Sequence, residues 1–355
     1  MGNQRFIVIQ VGQISREEWN EVVIKAEEGT FFHTYDWSKV LTDCGKKGES
    51  YCSRHILIKD QELDRLVGVL PLLLTRKHRL ISLPYGDYGG PCIDPNVSRR
   101  NVLEIMFNEV EEMAKKGAKM TFLKSLPRED LEWLSLHGYA KTPENYTFIL
   151  STRHATLDSL WRKFQRSPRQ CVRRAWKKGV TVEEAAQKDL MKEYYQIYIE
   201  TMKRLGASIR PFLFFEILWD ILAKKGLMKL LLAKYEGKYI AGIIAFPWKR
   251  TLHLYANASL KEYQNLSSNY LLCYTAIEWA FKHKFDIDFG LSPLNKNSGL
   301  YQFKKRWGGT PELLFSASKN YVKLAKLHRA VWLLRKSLSR RLPRNIKRFA
   351  KMLKE

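Results

Sequence analysis

Cysteine is scarce in this sequence. The five residues, Cys44, Cys52, Cys92, Cys171 and Cys273, are odd in number and form no C-x-x-C pair. Free thiols in a reducing compartment are expected, and a disulfide framework or zinc centre is not. The eight histidines contain no H-E-x-x-H and no close pair. There is no G-x-G-x-x-G, no Walker A loop and no G-x-S-x-G elbow, so the sequence lacks those dinucleotide, triphosphate and serine-hydrolase signatures. Long apolar runs are missing too. The longest, Phe212 to Leu222, carries Glu216 and Asp220 and falls short of the ~18–20 residues that cross a bilayer. The start, Met1-Gly2-Asn3-Gln4-Arg5-Phe6, has neither a signal core nor a myristoylation pattern. The expected compartment is the cytoplasm.

Acid is the other shortage, and it is local. The chain carries a net charge of +25 over 355 residues. Residues 1–150 are close to neutral, with 20 basic and 21 acidic side chains. Residues 151–355 hold 41 basic against 15 acidic. An anionic partner, nucleic acid or lipid, is therefore expected on one half of the molecule. With 45% hydrophobic and 12% aromatic residues the chain can build sizeable cores, which excludes a disordered polyelectrolyte.

Helices and strands alternate in both halves. Strands are expected at 6–11, 53–59, 65–74, 120–124 and 147–150, with helices near 15–28, 101–116 and 131–136. An aromatic turn, Phe31 to Trp37, leads into another helix. A loop, Leu83-Pro84-Tyr85-Gly86-Asp87-Tyr88-Gly89-Gly90-Pro91, lies between 81 and 93. The second half reads as helices at 157–178, 188–205, 211–224 and 269–283. Its strands fall at 180–184, 228–235, 239–248, 251–256, 286–289 and 313–316. Mixed sheets with hairpins fit this order, giving an α/β (α+β) fold.

Four constellations could carry chemistry. Residues 161–178 hold eight cations and no acid, including Arg169, Arg173 and Arg174. Such crowding fits an anionic partner, or a solvated helix face. Gly299-Leu300-Tyr301-Gln302-Phe303-Lys304-Lys305-Arg306-Trp307-Gly308-Gly309 sets cations among aromatics, where a lysine could stabilise an oxyanion or hold a phosphate; the bland reading is an aromatic strand with solvated lysines. Asp288, at a strand end before Gly290 and Ser292, could position an amine or hydroxyl, or cap the strand. His253, in an apolar stretch, reads as a partnered strand residue. Residues 319–355 hold 13 basic residues and one acidic, with leucines at helical spacing; this basic amphipathic helix suits a membrane surface, nucleic acid or the protein itself.

Leu160 to Phe164, Arg173 to Val180, Arg204-Leu205-Gly206, Arg210-Pro211, Asn269 to Leu272, Phe285 to Ser292 and above all Gly299 to Gly309 resemble FemABX-type peptidyltransferases and their FemAB-related acyltransferase branch associated with exopolysaccharide and exosortase systems. Residues 31–37 and 86–91 extend the resemblance over about 30–310. It implies two tandem acetyltransferase-like (GNAT) domains, at 1–155 on the acceptor side and 156–318 on the donor side, followed by the tail at 319–355. It implies transfer of an amino acid from aminoacyl-tRNA to an amine of a nucleotide- or lipid-linked envelope precursor, by a monomer without a bound cofactor. Lys304 would steady the tRNA end or the tetrahedral intermediate. The amine must be neutral to attack, and Asp288 or the substrate itself could take its proton. Substrate contacts would come from Asp36, Trp37, Tyr85, Arg210, Tyr255, Asn269, Ser292, Tyr301 and Phe303, and phosphate contacts from Arg169, Arg173, Arg174, Lys305 and Arg306. The R-x-x-G-x-G pyrophosphate loop of acetyl-CoA-using relatives is missing. The rival readings are acyl-CoA-dependent N- or O-acyl transfer, and a non-catalytic RNA- or membrane-surface-binding protein. On any of these readings the tail at 319–355 could hold a cytoplasmic protein peripherally at the inner membrane face.

Overall fold

The computed structural model describes residues 5–46, 51–126 and 128–321. An eleven-stranded mixed sheet runs through the molecule. Its spatial order is Thr181–Glu184, Lys229–Tyr235, Lys238–Trp248, Thr251–Ser259, Asp286–Asp288, Ala140–Leu150, Thr310–Asn320, Met120–Leu123, Arg79–Ile81, Leu73–Thr75 and Tyr51–Ser53. A separate four-stranded sheet holds Phe6–Ile9, Ile56–Asp60, Arg65–Leu70 and Cys92–Ile93. The α/β class with mixed sheets is as the sequence predicts.

Two strands join the halves. Ala140–Leu150 and Thr310–Asn320 pair antiparallel over their length, and the latter also pairs with Met120–Leu123. The last described strand thus returns to the first half. Both were expected to be short, at 147–150 and 313–316. Their outer stretches are polar, and Pro143 and Pro311 read as breakers. Pro143 instead sits where the pairing shifts register, at a bulge that tolerates a missing N–H. Lys319, expected to open the tail, lies in this strand opposite Thr121. The rest of the expected tail helix, from residue 322, lies outside the described residues.

The helix expected over 157–178 is two helices, Leu157–Lys163 and Arg166–Lys177. Pro168 explains the break. Inside a continuous helix its ring would strike the carbonyl of residue 164; in the first turn of a new helix its missing N–H costs nothing. Phe164 and Gln165 turn extended, and Gln165 N–H donates to the Arg306 carbonyl at 2.9 Å. Elsewhere the local signals hold. Ser15 and Glu18 form a reciprocal capping box at the start of Arg16–Lys25.

The aromatic turn Phe31-Phe32-His33 plugs into the second half. Phe31 stacks on Phe246 at 4.3 Å between ring centres, and Trp37 packs edge-on to Phe246, Tyr255 and Phe214. Trp307, fully buried, meets Phe164, Phe289 and Tyr270 and pins the segment after Lys304. Trp307→Ala should lower the free energy of unfolding by about 3–5 kcal/mol in a urea titration. The exposed Lys305→Ala should change it by less than about 0.5 kcal/mol.

Candidate functional site

A cleft of about 540 Å³ opens beside the centre of the large sheet. Lys304, Arg210, Tyr255, Asn269 and Phe303 line it, as does Asp87, which the sequence reading did not single out.

Lys304 comes from a helix, Gly299–Lys305, not from the aromatic strand of the bland reading. Ser298 caps the helix, its Oγ accepting from the Tyr301 N–H at 3.2 Å. One turn on, Lys304 faces inward, 8% exposed, and its Nζ donates to the Leu291 carbonyl at 2.6 Å. Burial pushes its pKa down to about 8, opposed by the charges of Asp87 and Asp288. At neutral pH it remains an ammonium with few partners in a water-poor setting.

Arg210 stands over three rings, 4.8 Å from Tyr85, 5.0 Å from Tyr255 and 5.5 Å from Phe214. This aromatic cage fixes a permanent cation in the cleft. Tyr85 belongs to the loop that presents Asp87. Leu83 and Tyr85 are both left-handed there, at φ 50° and 65°, a costly backbone for bulky residues. Crossing hydrogen bonds hold it: the Tyr255 hydroxyl to the Tyr85 carbonyl at 2.8 Å, Lys124 Nζ to the Gly86 carbonyl at 3.0 Å, and Ser125 Oγ to the Asp87 carbonyl at 3.1 Å.

Behind Asp87 lies a buried charge cluster. His253 Nε2 meets Asp87 Oδ2 at 2.9 Å, and Nδ1 meets Asp288 Oδ2 at 2.9 Å. Both ring nitrogens face carboxylate oxygens, so both donate and the ring is an imidazolium. The two carboxylates overcome the desolvation that would discharge it and raise its pKa to about 9. Asp288 also accepts from Thr147 Oγ1 at 2.6 Å, the Gly290 N–H at 2.8 Å and the Tyr88 hydroxyl at 2.7 Å. Burial alone would raise its pKa, but the charge and hydrogen bond of His253, with the Thr147 and Tyr88 hydroxyls, hold it far below the carboxylate range. That corrects the proton-accepting role expected of Asp288: its oxygens are filled and it does not line the cleft. It orients His253, which orients Asp87. Gly290, at φ +69°, packs on this contact, and an added Cβ would lie 2.9 Å from Asp87 Oδ2 and 2.8 Å from the Leu254 carbonyl.

The other expected residues lie further out or deeper. Tyr301 is buried edge-on to Tyr146 and Phe148. Ser292 is buried and pairs by its backbone with Tyr146. Asp36, expected to meet substrate, is fully buried between Arg16 Nη2 at 2.8 Å and Lys225 Nζ at 2.6 Å, and Trp37 is core. Both therefore join the two halves of the chain from inside. Arg169, Arg173 and Arg174 lie on Arg166–Lys177, whose entry segment bonds the Arg306 carbonyl through Gln165; none of these three, nor Lys305 or Arg306, lines the cleft. Arg173 stacks over Trp161 at 5.5 Å, and the nearby Trp176 is 48% exposed. Among the described residues no three His, Cys, Asp or Glu side chains are grouped to hold a metal ion.

Residues 162–305 match the family described as Acetyltransferase (GNAT) domain. FemX matches in structure with a TM-score of 0.67 at 18% identity, over 87% of this chain and 96% of its own. The chain has a FemX-like GNAT fold. A tandem GNAT protein from the clavulanic acid biosynthesis pathway shares it at a TM-score of 0.55 and 10% identity, covering 89% of this chain and 98% of that one. L-PGS from Bacillus licheniformis does so at 0.57 and 15%, over 92% and 97%. No curated protein matches the sequence. Within the GNAT match lie His253, Asp288 and Lys304, whereas Asp87 comes from the part of the chain before it.

The clamp gives a pH signature. A histidine whose folded pKa is raised stabilises the fold fully below its unfolded value of 6.5, and that contribution is lost as pH rises through about 9. The stability difference between wild type and His253→Gln, measured by urea unfolding, should therefore be largest near pH 6 and shrink toward pH 10. A difference that grows with pH would show a neutral ring.

Proposed function

We propose that the chain is an acyltransferase that forms an amide on an amine of a cell-envelope precursor, with aminoacyl-tRNA as the donor. The observation that carries this reading is the buried Lys304 ammonium in the cleft, opposite the Asp87 carboxylate. The fold shared with FemX and the GNAT match support acyl transfer.

The neutral amine attacks the ester carbonyl carbon of the donor, forming the C–N bond. Negative charge grows on the carbonyl oxygen, where Lys304 stabilises it in a water-poor site. Asp87, aimed by His253, takes the proton the amine loses. Collapse of the intermediate breaks the C–O bond, and the proton passes to the departing ribose hydroxyl. Arg210, charged and caged, receives a phosphate of the acceptor. The acid-free face of Arg166–Lys177 follows the RNA backbone, with Trp176 exposed for stacking on a base.

Incubation with labelled aminoacyl-tRNA and amine-bearing precursors should give a labelled amide. Lys304→Met should lower kcat by about 100- to 1000-fold with a smaller change in KM. Activity should fall as pH rises through about 8, where Lys304 loses its proton. Arg173→Glu with Arg174→Glu should weaken tRNA binding at least about tenfold and flatten its salt dependence. An acyl-CoA donor is the second reading, favoured by the GNAT match. Transfer from a CoA thioester, with none from tRNA, would replace the first reading by it.

A further inference from the structure

The mouth of the cleft is framed by two segments. One is the end of helix Leu190–Leu205 and the loop to Arg210; the other runs from Leu291 to Arg306. Leu205 and Leu300 line the cleft from opposite segments, yet they are 65% and 47% exposed. Ile209 and Leu294, 42% exposed each, sit on the same two segments. These four are a large share of the exposed bulky aliphatic residues among the described residues. Around them stand Lys203, Arg204, Lys296, Lys305 and Arg306. From 202 to 212 and from 289 to 311 there is no acidic residue.

Exposed branched aliphatics ringed by cations match one kind of partner. RNA offers phosphates and flat base faces, but no environment for aliphatic side chains. The headgroup–acyl boundary of an anionic bilayer takes both: cations meet lipid phosphates, and leucines enter the acyl edge. We propose that these two lips dock the cleft onto an anionic membrane surface. The docking does not depend on the transferase reading above.

The test uses the full chain and sedimentation with vesicles of phosphatidylcholine, with and without phosphatidylglycerol, containing no substrate. Wild type should bind the anionic vesicles and bind the neutral ones far less. Two double variants, Leu205→Ser with Leu300→Ser and Ile209→Ser with Leu294→Ser, should each lower the partition coefficient at least about tenfold, and the second, whose residues do not line the cleft, should leave tRNA affinity unchanged. All four residues are exposed, and circular dichroism checks that the fold persists. Lys304→Met should bind vesicles like wild type, which separates docking from catalysis. The proposal is overturned if wild type ignores anionic vesicles, if both double variants bind them as wild type does, or if the variants lose tRNA rather than vesicle binding.

Discussion

One buried cation sets the geometry of the cleft. The His253 imidazolium is held by Asp87 on one side and Asp288 on the other. Burying charge is expensive, and it is sustained here because each oxygen of Asp288 has donors and both nitrogens of His253 have acceptors. The participants come from distant parts of the chain: Asp87 and Tyr88 from the strained loop, Thr147 from a joining strand, His253 and Asp288 from neighbouring strands of the second half. Losing one would leave the rest charged without a partner. The clamp thereby ties the position of the carboxylate in the cleft to the docking of the two halves.

The cleft's charges are arranged by contrast. Lys304 is dehydrated and lightly partnered, so its field reaches into the cleft instead of being spent on a salt bridge. Among the described residues Arg210 makes no salt bridge; it feels the Asp87 charge across the cleft and is held by ring faces, which leaves its donors for a ligand. Asp36 shows the opposite use of charge. Its two cationic partners consume it inside the protein.

Much of this was legible in the sequence. Alternating periodicity gave the α/β class, and the Gly299–Gly309 segment marked Lys304 through its resemblance. Arg210, Tyr255, Asn269 and Phe303 do meet in one cleft. Other features depend on contacts distant in sequence. Asp87 is a lone acid in a glycine-rich loop, and only folding brings it 2.9 Å from a ring 166 residues away. Asp288 looked available because its four donors come from four positions. Asp36 opens a helix as an exposed substrate-binding carboxylate would, and nothing local shows that Arg16 and Lys225 will close over it. Pro143 reads as a breaker because its bulge cannot be seen without the partner strand, and Pro311 because nothing local shows that it will pair with Phe148. Pro168 is a local signal that the continuous helix expected over 157–178 overlooks, since a proline eleven residues in marks a new first turn.

The return of Thr310–Asn320 to the first half has a consequence for synthesis. During translation, Met120–Leu123 and Ala140–Leu150 must wait for a strand made about 160–200 residues later. Until then both present open edges to solvent, the state most prone to pairing with another chain. Assembly is therefore dominated by distant contacts, and distant contacts make folding slow. A nascent chain halted before residue 310 would hold Lys304 and Asp87 with the central ladder of its sheet unfinished, so the ribosome must deliver Thr310–Asn320 before the cleft has a rigid wall.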